Sequence, residues 1–214
     1  MPRSEGVQIV YVANDFEVAE IENVAWQMAT KTSIDTYWSG KDAPVERWFN
    51  CQLLWSQSAL YVRFEACQKE LLVVSDDPEI TKKVVGLWER DVCEIFLAPD
   101  RANRYKYYEF EIAPTGEWID LGIEVTAVER TTDLDYHSGM TSAARIDDDR
   151  ITMAIKIPLD SLGKAPKAGD VWLGNLFRCV GRGATRGYLA WLPTRTEKPN
   201  FHVPAAFGEF RFVA

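Results

Sequence analysis

Along most of the chain, apolar and polar residues alternate at a period of two in short runs broken by Gly, Pro, Asn and Asp. That pattern is the mark of β-strands with one side packed on a core. From Leu60 to Ala66, Leu60, Val62, Phe64 and Ala66 share one face and Tyr61, Arg63 and Glu65 the other. Gln52 to Trp55 precedes this run across Ser56-Gln57-Ser58, which predicts a hairpin. Asp91 to Leu97 and Tyr107 to Ile112 form a second hairpin across a Pro- and Asn-containing turn. Pro114-Thr115-Gly116 then leads into a short strand around Trp118, making a three-stranded meander. Ala144 to Ile146 and Ile151 to Ile157 flank Asp147-Asp148-Asp149-Arg150, and Val171 to Val180, Gly187 to Leu192 and Gly208 to Val213 complete the set.

Helical spacing is confined to Val18 to Met28, where Val18, Ile21 and Ala25 recur, and to a turn at Leu159 to Leu162. Neither can organise a core. No repeat, low-complexity linker or shift of composition divides residues 1–214, so the chain reads as one domain. About ten one-sided strands bury their apolar faces most simply as two facing sheets. The predicted fold is an all-β antiparallel β-sandwich, jelly-roll-like, with one or two short helices.

Composition narrows the function. The 214 residues carry 32 acidic and 24 basic side chains, a formal charge of −8 that repels phosphate backbones and anionic lipid. Neither nucleic acid nor a membrane is an expected partner, and no apolar run approaches the ~20 residues of a membrane helix. If Met1 is the native start the expected location is the cytoplasm; if a signal peptide was removed, it is extracellular or periplasmic. Cys51, Cys67, Cys93 and Cys179 show no Cys-x-x-Cys and no short Cys/His spacing, which argues for free thiols over a zinc site. Eight Trp, eight Tyr and ten Phe exceed the needs of a small core, so some rings have another use. Trp55, Trp118, Trp172 and Trp191 fall at positions expected to be core.

The run from Leu87 to Leu97 places two acids, Asp91 and Glu94, in an otherwise apolar strand, where an unpartnered carboxylate is costly. With Cys93, Ile95 and Leu97 facing the core, Glu94 points the other way. On the next strand Tyr108, Phe110 and Ile112 face inward, leaving Tyr107, Glu109 and Glu111 outward. Glu94, Glu109 and Glu111 are therefore expected to line one open sheet face.

Trp88-x-x-Asp91-x-x-Glu94-Ile95-Phe96, Tyr107 to Ile112, Phe201-His202-x-Pro204 with Phe207-Gly208, and the strand Leu60 to Phe64 together resemble the family 9 carbohydrate-binding modules, a DOMON-like group. The resemblance spans most of the chain. It implies an antiparallel sandwich that holds a sugar between two aromatic rings beside polar residues on one sheet face. Its partner is a mono- or oligosaccharide, bound without catalysis and in association with the breakdown of polysaccharides such as xylan or cellulose. By position, Trp88 matches one ring platform and Phe201 the other, where sugar binders carry Trp. Glu94 matches a carboxylate that accepts from sugar hydroxyls, Glu111 stands where members can carry Arg, and Asn175 matches a polar position. Arg178 has the opposite parity and is equally a structural partner for Glu94 or Glu111. His202 lies in the matched loop, as a pocket residue or a hydrogen-bonded loop residue.

Two other chemistries have candidates. Glu94, Glu109 and Glu111 offer the acid and base of a glycoside hydrolase, and residues i and i+2 of a strand lie ~6.5 to 7 Å apart, within the range such cleavage uses. Haem ligation by His202 or His137 with Met140 or Met153 is the third reading, from DOMON relatives, with no spacing that favours a pair. No cofactor is expected. Structural calcium has a candidate in Asp147-Asp148-Asp149, a stretch that reads equally as a solvated turn.

Overall fold

The computed structural model describes residues 6–214. Thirteen strands join into one curled sheet. In chain order they are β1 (Gly6–Tyr11), β2 (Thr32–Ile34), β3 (Phe49–Trp55), β4 (Ala59–Cys67), β5 (Val92–Ala98), β6 (Lys106–Ile112) and β7 (Trp118–Val125). They continue with β8 (Arg130–Asp133), β9 (Thr141–Ile146), β10 (Arg150–Pro158), β11 (Val171–Val180), β12 (Gly187–Ala190) and β13 (Gly208–Val213). The order across the sheet is β8-β7-β6-β5-β11-β13-β1-β3-β4-β10-β9, with β12 beside β11 and β2 beside β3. The sheet folds over on itself, so that Phe110 and Ile112 of β6 share one core with Ile151 and Met153 of β10. This is the expected β-sandwich.

Its pairing is mixed, where a wholly antiparallel sandwich was predicted. β1 lies parallel to both β13 and β3, with Val7 opposite Phe210, Ile9 opposite Phe212 and Val10 opposite Leu54. β1 closes the seam between the two layers, a job that its sequence alone does not announce. The hairpin at Ser56 to Ser58 and the meander β5-β6-β7 form as predicted. The Asp100 side chain accepts from Ala102 N at 2.9 Å and so shapes the turn before β6.

The expected helix at Val18 to Met28 is only a 3-10 turn, Val24–Met28, capped by the Asn23 side chain. Tertiary docking overrides the helical spacing here. Phe16, Val18 and Trp26 lie against Leu54, Tyr61 and Ala154 on the outer face of β3, β4 and β10. Gln52 Nε2 donates to the carbonyls of Trp26 and Ala29 at 2.8 and 3.1 Å, satisfying groups a longer helix would have used internally. Leu159–Leu162 is the expected turn, in 3-10 form.

Three apolar clusters result. One fills the space between the layers and contains Trp55, Trp172 and Trp191, with Trp118 packed against it. The second lies on the outer face of β5, β6 and β11, roofed by Phe201 and Phe207. The third is the patch beneath Trp26. β5 is thus buried on both faces, and the face carrying Glu94, Glu109 and Glu111 is not the open one predicted. No helix among the described residues is long and apolar enough to cross a membrane.

Gly174 of β11 sits where β11 passes closest to its neighbours. A Cβ there would stand 2.0 Å from the Phe96 carbonyl oxygen and 2.5 Å from the Phe210 ring. The first of these is main chain and cannot swing aside. Gly174→Ala is therefore expected to lower the denaturation midpoint by ~2 kcal/mol or more in stability, an overpacking cost, measured by urea unfolding. A parental midpoint in that variant would show that β5 and β11 can separate cheaply.

Candidate functional site

The end of β5 is set by the segment before it. Gly86 takes a left-handed conformation, φ 86°, and starts the 3-10 turn Leu87–Glu89. Leu87 drops into the second cluster while Trp88, expected to serve as a platform, stays 38% exposed. The segment is held from below by Lys83, whose Nζ lies 2.7 Å from Asp120 Oδ1 and donates to the carbonyls of Asp120, Leu134 and Tyr136. Asp91, the first of the two acids, is structural. Its oxygens accept from Gly181 N at 2.8 Å and Val73 N at 3.1 Å, and burial still leaves its carboxyl above the ordinary range.

A cleft of about 590 Å³ opens beside this turn. Trp88, Tyr188 and Phe201 supply its rings, Glu94 and Glu109 its acids, and Arg130, Arg186 and His202 further polar atoms. The volume is that of an ordinary small-ligand site. Phe201 is the predicted second platform, and the structure corrects its role. It is only 8% exposed and stacks on Phe177, ring centroids 4.1 Å apart at 11°. One of its faces is already taken, so it is a wall of the cleft more than a free jaw. Tyr188 is the ring that sequence reasoning missed; it meets Phe201 edge-on at 6.1 Å and lies under the Arg186 guanidinium at 5.5 Å. The only signal was its place after the Gly187 break in Gly187 to Leu192.

Arg186, also missed, is a clamp. Its Nη1 donates to Gly181 O at 2.9 Å, and its Nη2 to Trp88 O at 2.7 Å and Arg90 O at 2.8 Å. It fixes the Trp88 turn to the end of β11. Asn175 and Arg178 do not line the cleft. Asn175 has the right parity but is roofed over, its amide donating to Leu192 O at 2.8 Å and Ala206 O at 3.3 Å while Oδ1 accepts from Leu192 N. Arg178 keeps the opposite parity and points into the sandwich. It donates to Arg47 O at 2.8 Å and Gln68 Oε1 at 2.6 Å, and so pairs with neither Glu94 nor Glu111.

Glu94 and Glu111 face each other across the β5–β6 ladder, and Glu109 follows two positions along the same face. They are 2%, 0% and 3% exposed for Glu94, Glu111 and Glu109, and Glu111 lies behind the other two without lining the cleft. Oxygens of all three lie within 4.8 Å of one another. The Cys179 thiol donates to Glu94 Oε1 at 3.5 Å, whereas Glu109 Oε2 and both Glu111 oxygens have no donor beyond the carboxyl cluster itself, in which Glu109 and Glu111 meet. Burial, then the neighbouring carboxylates, push Glu94 and Glu111 well above the usual range. Burial takes Glu109 up to about 7.

His202 stands beside Glu109, its Nδ1 2.9 Å from the Tyr107 hydroxyl and its Nε2 3.9 Å from Glu109 Oε2. Burial, helped by the charge of Arg130, lowers it to about 3, so it faces Glu109 as a neutral ring. Met140 and Met153 lie in the core between the layers, on the other side of the sheet from His202, so the structure does not bring that histidine and those sulfurs together. The Asp147-Asp148-Asp149 tip is exposed; among the described residues the acids that converge are Glu94, Glu109 and Glu111.

A model of the carbohydrate family 9 binding domain-like family matches residues 19–214. The chain belongs to that family. No curated protein matches its sequence. Among solved structures, it is similar to a putative carbohydrate-binding protein from Bacteroides uniformis ATCC 8492, with 18% identity and a TM-score of 0.77 over 97% of this chain and 98% of that one. It is also similar to a family 9 module from Caldicellulosiruptor kristjanssonii in complex with cellotriose, with 15% identity and a TM-score of 0.69 over 97% and 93% of the two chains. A family 9 module from the same organism in complex with glucose gives 15% identity and a TM-score of 0.66 over 97% and 95% of the two chains. At these identities the neighbours establish the shared fold.

The carboxyl group of Glu109 makes stability depend on pH. The folded chain keeps its proton up to about pH 7, whereas an unfolded Glu releases it near ~4.3. Between those values the unfolded state binds fewer protons, so this contribution to stability is full at the acid end and falls as pH rises. His202 acts oppositely, costing stability as pH drops from ~6.5 to about 3. In chelating buffer, Glu109→Gln is therefore expected to gain in melting temperature over the parent as pH rises from about 5 to about 8. A gap that stays constant across that range would refute the protonated carboxyl.

Proposed function

We propose that the cleft binds a mono- or oligosaccharide noncatalytically, with the exposed face of Trp88 as its main platform. The observation that carries this reading is the juxtaposition, in a cleft of about 590 Å³, of a half-exposed indole with the buried carboxyls of Glu94 and Glu109. A pyranose offers an apolar C–H face to a ring and hydroxyls to acceptors at its rim. Tyr188 and the edge of Phe201 complete the apolar wall. Membership of the family supports the reading, as do neighbours solved with cellotriose and glucose. Soluble fragments of plant β-glucans or xylan are the ligand class this favours.

The hydrolase reading loses ground on geometry. Cleavage requires two carboxyls flanking a scissile bond, ~5 Å or more apart with the sugar between them. One oxygen from each of Glu94, Glu109 and Glu111 lies within 4.8 Å of the others on a single floor, an arrangement that groups the carboxyls and does not place two of them on opposite sides of a bond.

Titration with glucose, xylose and cello-, xylo- and manno-oligosaccharides, followed by tryptophan fluorescence and calorimetry, tests the proposal. Binding is expected for at least one series, weakened about tenfold by Trp88→Ala and less by Tyr188→Ala. Loss of one stacking surface should leave the fold intact, since Trp88 is not core. No heat and no fluorescence change with any of these sugars would overturn the reading.

A further inference from the structure

The floor of the cleft holds more carboxyl groups than a sugar requires. Glu94 comes from β5, and Glu109 and Glu111 from β6, so the ladder itself forces their oxygens together. Acidic clusters are common on surfaces, but this one is enclosed. Glu111 is fully buried, has an oxygen within 4.8 Å of one on each of the other two carboxyls, and finds no hydrogen-bond partner outside the three. Glu109 Oε2 is likewise buried and without a donor outside the three.

The neighbouring cationic groups do not answer this. Arg186 is committed to three main-chain carbonyls and reaches Glu94 only through its field, and Arg178 lies on the far side of β11 with Gln68. His202 faces Glu109 as a neutral ring, and Arg130 acts on Glu109 only through its field. Such a group of acceptors is balanced either by protons or by a cation that all three can reach. Glu111 does not line the cleft, so a cation within reach of all three carboxyls has to be small, a bare ion and not an ammonium carried on a pyranose. The donor set is carboxylate oxygen, which selects hard divalent ions. The Cys179 thiol is held in its protonated form by burial and by Glu94, so it adds no soft ligand.

We propose that Glu94, Glu109 and Glu111 form a site for a hard divalent cation, calcium or manganese, at the floor of the cleft. Three carboxylates supply part of the six to eight oxygens that calcium takes at ~2.3 to 2.6 Å. The remaining positions open toward the cleft, where water or a ligand's hydroxyls complete the shell. Oxygen ligation requires deprotonated carboxylates, so the ion competes with protons for these groups. The site does not depend on the sugar reading.

The test uses the full chain after chelator treatment, at neutral pH. Manganese binding is followed by loss of the free-ion electron paramagnetic resonance signal. Calcium binding is followed by calorimetry in two buffers of different ionisation enthalpy. One ion per chain is expected, with proton release, a rise in melting temperature on adding calcium, and affinity at least about tenfold weaker in Glu111→Gln and Glu94→Gln. Circular dichroism establishes that these variants fold, and Glu109→Asp, which keeps the charge but shortens the arm, serves if either does not. Failure to bind either ion up to about 1 mM, the weak end of calcium sites, overturns the proposal, as does undiminished binding in the folded variants. A third overturning result is loss of binding in Asp147→Asn/Asp149→Asn instead, which would move the ion to the β9–β10 tip. Sugar titrations in chelator and in calcium run alongside: sugar binding without ion binding sinks this inference and leaves the function standing, and the converse sinks the function alone.

Discussion

The alternation of side chains along β5 and β6 governs both the fold and the site. Because a strand's residues point to opposite faces, the run that sends Cys93, Ile95 and Leu97 into the core between the layers must send Glu94 and Phe96 the other way. The partner strand does the same with Phe110 and Ile112 against Glu109 and Glu111. A slip of one residue would drive three carboxyls into the main core and expose its largest rings, so register is pinned by the cost of either outcome. The price of this arrangement is a second buried face on which the acids meet each other.

That second face explains how the site is built. A sheet with both sides covered normally reads as a continuous apolar run, and β5 nearly does, as Val92 to Ala98 are all buried. The roof over it comes from segments distant in sequence, the Trp88 turn and the Phe201 to Phe207 loop, which leave a gap only above Glu94 and Glu109. Low dielectric beneath the roof then raises every carboxyl it covers. Whatever enters the gap meets carboxyl groups that the ladder holds in place.

How much of this could be read from the sequence follows from which interactions are local. Period-two patterning identified β4, β10 and β13 because each has one apolar face set by its own residues. β1 and β8 escaped, since Gly6–Tyr11 is a strand only because β13 and β3 flank it, and Arg130–Asp133 is an exposed edge with no apolar stripe. The parity argument placed Glu94, Glu109 and Glu111 on one face, and the family resemblance placed Trp88. Neither could show that the face is covered, because covering depends on loops whose course has no period. For the same reason Asn175 matched a binding position and yet is spent on the main chain of Leu192 and Ala206. Tyr188 and Arg186 were invisible because their roles are defined by the end of another strand.

Arg186 shows why a cleft made of loops can still be a defined site. A guanidinium offers five donors in a rigid fork, and here three of its bonds go to carbonyls of Gly181, Trp88 and Arg90. Those carbonyls belong to the end of β11 and to the turn that presents the indole. With Gly86 fixing the entry to that turn and Lys83 anchoring the segment before it, the Trp88 ring is positioned without contribution from any ligand. The Arg186 guanidinium also lies over Tyr188, so one side chain couples the main chain beneath one ring to the face of another. Ordering a loop during binding subtracts from affinity, and surfaces held in place beforehand avoid that loss. The charge of Arg186, which a sequence reading would assign to a ligand, is therefore used to keep the walls apart at a fixed spacing above the carboxyl floor.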